Sequence, residues 1–194
     1  MNFLAHLYLS GNNDEVKIGN FIGDYVKGKD YNKYSPLIRK GILLHRKIDS
    51  FTDAHPVVKN HKSLFYHKFH KYAGVITDII YDHFLVKEWQ VFSNENFDEF
   101  VDNINELLTN NFEYLPEAMK QFVPNFIKYK WLKSYETLDG IESVLIGMSK
   151  GTSLPNETEF ALFILKKHYK EIKHDFFVYF PQLIDYVEKE IENV

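Results

Sequence analysis

Histidine and aspartate side chains are concentrated near the start of this 194-residue chain. Imidazoles and carboxylates are ligands of divalent ions such as Mn²⁺, Mg²⁺, Fe²⁺ and Zn²⁺. The chain has no cysteine, so a thiolate site is excluded and any metal must be held by these two groups. Seven of the nine histidines lie in the first 83 residues, accompanied by five aspartates: His6, His45, His55, His61, His67, His70 and His83, with Asp24, Asp49, Asp53, Asp78 and Asp82. The cluster indicates a metal site.

Two pairs in this region have helical spacing. His45 and Asp49 are four residues apart, as are Asp78 and Asp82, which His83 follows directly. Residues four apart share one face of a helix, so two helices could offer inward-facing pairs to one ion. A surface contact worth about 0.2–0.5 kcal/mol is the alternative for any one pair. The apolar segment around Asp78 and Asp82 favours the site, because unpaired carboxylates are costly there.

Other polar residues of this region have ordinary structural interpretations. Asp24 ends the segment GNFIGD, whose glycines allow close approach of a ligand or of another backbone. His6 lies among apolar residues, as a core histidine with one hydrogen bond would. Thr52 and Asp53 could cap a helix beginning near Pro56.

The remaining histidines of the cluster are predicted to lie on the surface. His61, His67 and His70 alternate with Lys62, Lys68 and Lys71 and have no carboxylate close in sequence. We therefore expect them to be exposed.

Composition and periodicity predict an all-α fold. Hydrophobic residues make up 45% and charged residues 26% of the chain, and nine glycines and six prolines are too few for a loop-rich β domain. We expect a single domain over residues 1–194, built as a bundle of about seven to nine helices. The predicted helices are 15–26, 36 to about 49 with Ser35 as N-cap, 57–92 as one or two helices, and 94–110. Shorter helices are predicted between Pro116 and Gly140, followed by a loop at 147–155. The last predicted helix is 156–191, which Pro181 would end and restart or kink.

The charge distribution points to an acidic partner. The segment from Lys17 to Lys71 carries twelve Lys and Arg against four Asp, a net charge of +8 in a chain of net charge −4. Such a segment can steer a phosphorylated or acidic partner, although a solvated lysine-rich surface has the same composition. No nucleic-acid motif accompanies it, and no long apolar run or export signal is present. We expect a soluble, cytoplasmic protein that binds neither nucleic acid nor membrane.

Four separated blocks resemble the bacterial acyl carrier protein phosphodiesterases. They are MNFLAHLYLS (1–10), GNFIGDYVKG (19–28), HRKIDSFTDAHP (45–56) and DIIYDHFL (78–85) with Trp89, and FFVYFPQLI (176–184) extends the match. The resemblance implies a distorted HD-type phosphohydrolase fold and a preference for Mn²⁺. It further implies hydrolysis of 4′-phosphopantetheine from the serine of holo-acyl carrier protein, which would dock on residues 17–71.

The resemblance also implies which residues form the site. The family's polar positions fall on His6, Asp24, His45, Arg46, Asp49, Asp53, His55, Asp78, Asp82 and His83. Of these we predict Asp24, His45, Asp49, Asp78, Asp82 and His83 as metal ligands, and Asp24, His45, Arg46, Asp49, Asp82 and His83 as catalytic. Lys27, Arg46, His6 and His55 are predicted to bind substrate. Lys150 stands where family members often have arginines and could replace them only as a point charge.

Two alternative functions stay open at this point. An HD-type helical enzyme could act on a nucleotide or another small phosphate ester, since a fold does not determine function. A non-catalytic helical module could instead bind an acidic partner through the basic segment. The first predicts a different substrate, and the second predicts neither bound metal nor hydrolysis.

Overall fold

The chain folds into ten α-helices in a computed structural model that describes residues 1–193. No β-strand occurs in this range, so the all-α prediction is confirmed. The helices are α1 (Phe3–Tyr8), α2 (Asp14–Ile22), α3 (Pro36–Ala54), α4 (Pro56–Phe69), α5 (Ala73–Lys87), α6 (Trp89–Phe92), α7 (Phe97–Asn110), α8 (Glu117–Lys128), α9 (Leu138–Gly151) and α10 (Thr158–Asn193).

Helix α3 begins where the sequence predicts. The Ser35 hydroxyl accepts a hydrogen bond from the Ile38 amide, and Pro36 occupies the first helical position. The helix continues to Ala54, about one turn beyond the predicted end, so Thr52 and Asp53 lie inside it. Their predicted capping role is therefore wrong: Thr52 bonds to Tyr179 and Asp53 pairs with Lys62.

Helices α2 and α3 pack backbone to backbone through two glycines. A Cβ atom on Gly19 would lie 2.0 Å from the Ile38 carbonyl oxygen, and one on Gly41 would lie 2.2 Å from that of Val16. Only glycine fits such an approach. The contact fixes the end of α2 beside the middle of α3, where His45 and Asp49 lie.

The stretch predicted as one helix or two is divided at His70. This residue has a φ of 47°, a conformation that interrupts the helix, and a short 3₁₀ turn (His70–Tyr72) joins α4 to α5. Helix α5 therefore leaves α4 in a new direction and carries Asp78, Asp82 and His83.

The C-terminal part of the chain differs from the sequence prediction in two places. Helix α9 runs to Gly151, so the first half of the predicted 147–155 loop is helical. Helix α10 is bent at His168 (φ −107°, ψ 15°), whereas Pro181 lies inside the helix without a non-helical residue beside it. The prediction of an interruption at Pro181 is thus wrong.

Buried apolar side chains from all ten helices form one connected core. Helix α10 lies against α3, α4, α5 and α9 and closes this core on one side. In the described part of the chain, no helix has the length and apolar character needed to cross a membrane.

Candidate metal centre

Three side chains from α1 and α3 converge on one point. The Nε2 atom of His6 lies 3.2 Å from Asp49 Oδ1, and the Nε2 atom of His45 lies 3.1 Å from Asp49 Oδ2. The two imidazole rings stack with centroids 3.9 Å apart. One potential ligand atom from each of the three residues lies within 4.8 Å of the other two, which is the size of a single-ion site.

Asn20 sets the orientation of both imidazoles. Its side-chain oxygen accepts from Nδ1 of His6 at 2.8 Å, and its backbone carbonyl accepts from Nδ1 of His45 at 2.7 Å. Its amide group donates to the His6 carbonyl and to the Ser10 hydroxyl. With both Nδ1 atoms bonded to Asn20, Nε2 is the nitrogen through which each ring could bind a metal ion.

The cluster leaves buried ligand atoms without hydrogen bonds. The Nε2 atoms of His6 and His45 and the Oδ1 atom of Asp78 are enclosed and make no hydrogen bond. Their close polar contacts are ion pairs with Asp49, Asp24 or the Met1 amino group at 3.1–3.4 Å, so they remain open to a metal ion. Imidazole nitrogens together with carboxylate oxygens suit a divalent ion of the Mn²⁺, Fe²⁺ or Zn²⁺ type, so these residues fit the expected metal.

The electrostatics of the cluster favour a cation. Burial and the adjacent His45 ring lower the pKa of His6 to about 4, so His6 is neutral at pH 7. Burial also disfavours a charge on His45, but the carboxylates of Asp24 and Asp49 outweigh it and raise the pKa of His45 to about 9. The two imidazoles hold the pKa of Asp49 below its usual range despite burial. The carboxylates of Asp24 and Asp49 therefore stabilise positive charge at His45.

Asp24 and Asp78 border the three-residue cluster. Asp24 Oδ1 lies 3.3 Å from His45 Nε2, and its side chain is 72% exposed. Asp78 Oδ1 lies 3.4 Å from the Met1 amino group, which is also 3.3 Å from Asp49 Oδ1. Burial raises the pKa of Asp78. Gly23 makes room for the site, since a Cβ there would lie 2.2 Å from His45 Cγ.

Asp82 lies one helical turn after Asp78 but has other partners. Its two oxygens accept from the backbone amides of Leu4 at 2.9 Å and Ala5 at 3.1 Å, the free N–H groups at the start of α1. Complete burial raises the pKa of Asp82 to about 8, against the effect of these two amides. Asp82 thus fixes α1, and with it His6, and we do not retain it among the proposed ligands.

His83 is held inside the core by hydrogen bonds of both ring nitrogens. Nδ1 lies 2.7 Å from the Tyr135 carbonyl, and Nε2 lies 2.9 Å from the Tyr169 hydroxyl. Neither nitrogen is left for a metal. The proposed ligand set therefore replaces Asp82 and His83 with His6, which the sequence suggested as a core or substrate-binding histidine.

Comparison with known proteins identifies the family of this chain. A sequence model of the family described as "Acyl carrier protein phosphodiesterase" matches residues 1–183. The chain belongs to the acyl carrier protein phosphodiesterase family. Curated proteins of that name include one from Salmonella agona, 31% identical over 189 residues (95% of this chain and 96% of the relative), and one from Yersinia pestis, 28% identical over 185 residues (95% and 96%).

No solved structure matches this chain. The likeness of this acyl carrier protein phosphodiesterase family member to the HD-type phosphohydrolase fold therefore stays a prediction.

Two of the positions for which the family resemblance predicts substrate binding, Arg46 and Lys27, lie at the turn that follows Asp24. Arg46 donates to the Val26 carbonyl at 2.8 Å and its guanidinium lies over the Tyr31 ring, so it holds the turn that follows Asp24. Lys27 is exposed in that turn and donates to the Asp24 carbonyl. His55 lies at the end of α3 against Phe51 and Tyr179.

One histidine differs from its predicted environment. His61 is 3% exposed, with Nδ1 2.7 Å from the Tyr81 hydroxyl and Nε2 3.1 Å from Asp175. The prediction that it is a surface residue is wrong because its carboxylate partner comes from α10, far away in sequence. His67 and His70 are exposed as predicted.

A cleft of about 610 Å³ opens beside the metal centre. Asp24 and Asp78 belong to its lining, together with Phe3 of α1. We call it the α8–α9 cleft, after the two helices of its far wall, which contribute Gln121, Phe122, Asn125, Gly147 and Met148. Trp131, in the 3₁₀ segment between these helices, completes that wall. This chain thus has a candidate metal centre at one side of a cavity large enough for a small-molecule ligand.

Proposed function

We propose that this protein is a metal-dependent phosphodiesterase that hydrolyses 4′-phosphopantetheine from the serine of holo-acyl carrier protein. Family membership supports the enzyme class and the carrier substrate. The observation that carries the metal dependence is the pair of imidazoles whose Nδ1 atoms bond to Asn20 and whose Nε2 atoms face Asp49.

His6, His45 and Asp49 would hold the ion, with Asp78 completing the ligand set and Asp24 beside it at the edge of the cluster. Mn²⁺ is the ion to test first, and Mg²⁺, Fe²⁺ and Zn²⁺ are the alternatives that imidazole and carboxylate ligands also accept. A divalent ion there supplies positive charge for the phosphate oxygens and lowers the pKa of water.

The reaction releases apo-carrier and phosphopantetheine. A water oxygen adds to phosphorus, the bond between phosphorus and the serine oxygen breaks, and the serine oxygen takes up a proton. Asp24 is exposed at the edge of the cluster, so its carboxylate is placed to accept the proton that the water loses. Lys27, in the same turn, can reach negative charge on the phosphate.

The carrier would dock where the basic segment borders the site. Several lysines of the basic segment already form ion pairs with acidic side chains of this chain: Lys33 with Asp30, Lys47 with Glu190, Lys62 with Asp53 and Lys68 with Glu157. Lys27 and Lys29 are exposed in the turn just after Asp24. We therefore narrow the docking proposal from residues 17–71 to the surface around these two lysines.

Intact-mass spectrometry of holo-acyl carrier protein tests this function. The carrier is incubated with the protein and Mn²⁺, with and without a chelator. We expect loss of the phosphopantetheine mass, prevented by the chelator. An unchanged carrier mass with metal-loaded protein would exclude this substrate, and a panel of nucleotides and small phosphate esters would then test the alternative enzyme function. If the protein neither bound metal nor hydrolysed any of these substrates, the remaining hypothesis would be a non-catalytic module that binds an acidic partner.

A further inference from the structure

The α8–α9 cleft has an aromatic wall that leads away from the metal centre. Phe3, two residues after the Met1 amino group that contacts Asp78, stacks on Phe122 with centroids 5.6 Å apart. Phe122 in turn contacts Trp131 edge to face, also at 5.6 Å. The wall therefore extends from the carboxylates through Phe3 and Phe122 to Trp131.

Polar and small residues line the rest of the cleft. Gln121 and Asn125 are exposed on α8 and bring carboxamide groups that can both donate and accept hydrogen bonds. Gly147 of α9 faces Trp131, because a Cβ there would lie 3.8 Å from the end of the indole. The cleft thus combines an apolar wall, carboxamide groups that can bind amides, and a side at Gly147 that no side chain occupies.

A phosphodiester at the metal centre has two substituents, and they differ greatly in size. The carrier is a folded protein and must stay outside a cavity of about 610 Å³. The pantetheine arm is a narrow chain with geminal methyl groups, two amides and a terminal thiol. Its methyl groups match the aromatic wall and its amides match Gln121 and Asn125.

We propose that the α8–α9 cleft binds the pantetheine arm, with the phosphate beside Asp24 and Asp78 and the thiol end near Trp131 and Gly147. This inference rests on the proposed function for the identity of the substrate. It assigns α8 and α9 the role of selecting phosphopantetheine over other phosphodiesters.

Calorimetric titration with 4′-phosphopantetheine tests the assignment without requiring turnover. Gly147→Leu places a side chain in the cleft opposite Trp131, and leucine suits a helix better than glycine does. We expect it to weaken binding about tenfold or more, the usual cost of a side chain that a pocket cannot accommodate. Ser143→Leu adds the same side chain to an exposed position of α9 outside the cleft and should leave binding unchanged.

A second variant covers the case in which Gly147→Leu fails to fold by circular dichroism. Gln121→Ala shortens an exposed side chain and should also weaken binding of 4′-phosphopantetheine. Unchanged affinity in the folded variants, or no binding to the wild-type protein, would overturn the assignment.

Hydrolysis of holo-carrier, measured in parallel, separates this inference from the proposed function. Hydrolysis by the wild-type protein together with unchanged affinity in the variants would support the proposed function and show that the α8–α9 cleft does not bind the pantetheine arm. Binding that is weakened by Gly147→Leu, without hydrolysis of the carrier, would keep the cleft as a pantetheine site and overturn the function.

Discussion

Asn20 connects the two imidazoles of the candidate metal centre and is completely buried. Asn20→Ala removes the acceptor for His6 Nδ1 and leaves the His6 ring free to turn. We expect Mn²⁺ affinity to fall about 10–100-fold, the usual effect of losing such a partner. Titration calorimetry of metal-free protein with MnCl₂ measures it.

Asn103→Ala is the matched control for this prediction. Asn103 is an exposed asparagine of α7 that contacts only Glu95 among the hydrogen bonds described, so its loss should leave metal affinity unchanged. Equal affinity for the wild-type protein and a folded Asn20→Ala variant would show that Asn20 does not position the ligands.

His45 and His83 make a second test at the residue scale. His45→Gln removes a Nε2 atom that faces Asp24 and Asp49, and we expect the protein to lose its bound metal. His83→Gln breaks hydrogen bonds to Tyr135 and Tyr169 and should lower the free energy of unfolding by about 1–3 kcal/mol while metal binding persists.

Metal content after equilibrium dialysis and denaturant unfolding distinguish these two variants. The opposite pattern, with metal lost from His83→Gln and kept by His45→Gln, would contradict the proposed ligand set and place the metal at His83 instead.

The sequence predicted part of this centre for a physical reason. His45 and Asp49 are neighbours on one helix face, and a spacing of four shows that directly. His6 reaches Asp49 only because α1 is anchored by Asp82, 77 residues beyond Ala5, and no local pattern reports such a contact. Asn20 stands among apolar residues of α2, which is the sign in the sequence that it could have a special role. A polar residue that only takes part in helix packing would look the same in the sequence.

At the scale of the elements, the α2–α3 contact positions Asn20 against His45. Gly19→Ala would bring a Cβ within 2.0 Å of the Ile38 carbonyl oxygen, which α3 holds in place. We expect the free energy of unfolding to fall by at least about 1–3 kcal/mol, as for other overpacked sites. Chemical denaturation followed by circular dichroism measures the change.

Gly151→Ala is the comparison, because nothing lies within 4 Å of a Cβ at that position. It should change stability by no more than about 0.5 kcal/mol, as surface substitutions usually do. A similarly small effect of Gly19→Ala would mean that the two helices are not in backbone contact.

Helix boundaries set by local chemistry were predictable, and those set by packing were not. Ser35 and Pro36 specify the start of α3 through their own hydroxyl and ring. The division between α4 and α5 depends on His70 adopting a positive φ, and no glycine or proline there reveals it. Pro181 was expected to interrupt α10, but the residue with non-helical φ and ψ inside this helix is His168.

For the whole molecule, the exposed lysines near Asp24 make a prediction about association. Lys27→Glu combined with Lys29→Glu should raise the KM for holo-acyl carrier protein several-fold, because acyl carrier proteins are acidic. The KM of the wild-type protein for holo-acyl carrier protein should also rise with ionic strength. The rate at which it cleaves a small phosphodiester, whose only charge is on the phosphate, should change little.

Lys166→Glu and Lys170→Glu, on exposed positions of α10, provide a control with the same change in net charge. If both double variants raise KM equally, net charge rather than a docking surface governs association, and the surface around Lys27 and Lys29 would be withdrawn.

The location of the metal is the central claim, and anomalous diffraction from crystals grown with Mn²⁺ tests it most directly. Data collected on both sides of the manganese absorption edge identify the ion and its position. We predict a peak bounded by Nε2 of His6, Nε2 of His45 and the carboxylate of Asp49. A manganese peak at His83 and Asp82, with none at these three residues, would contradict the account.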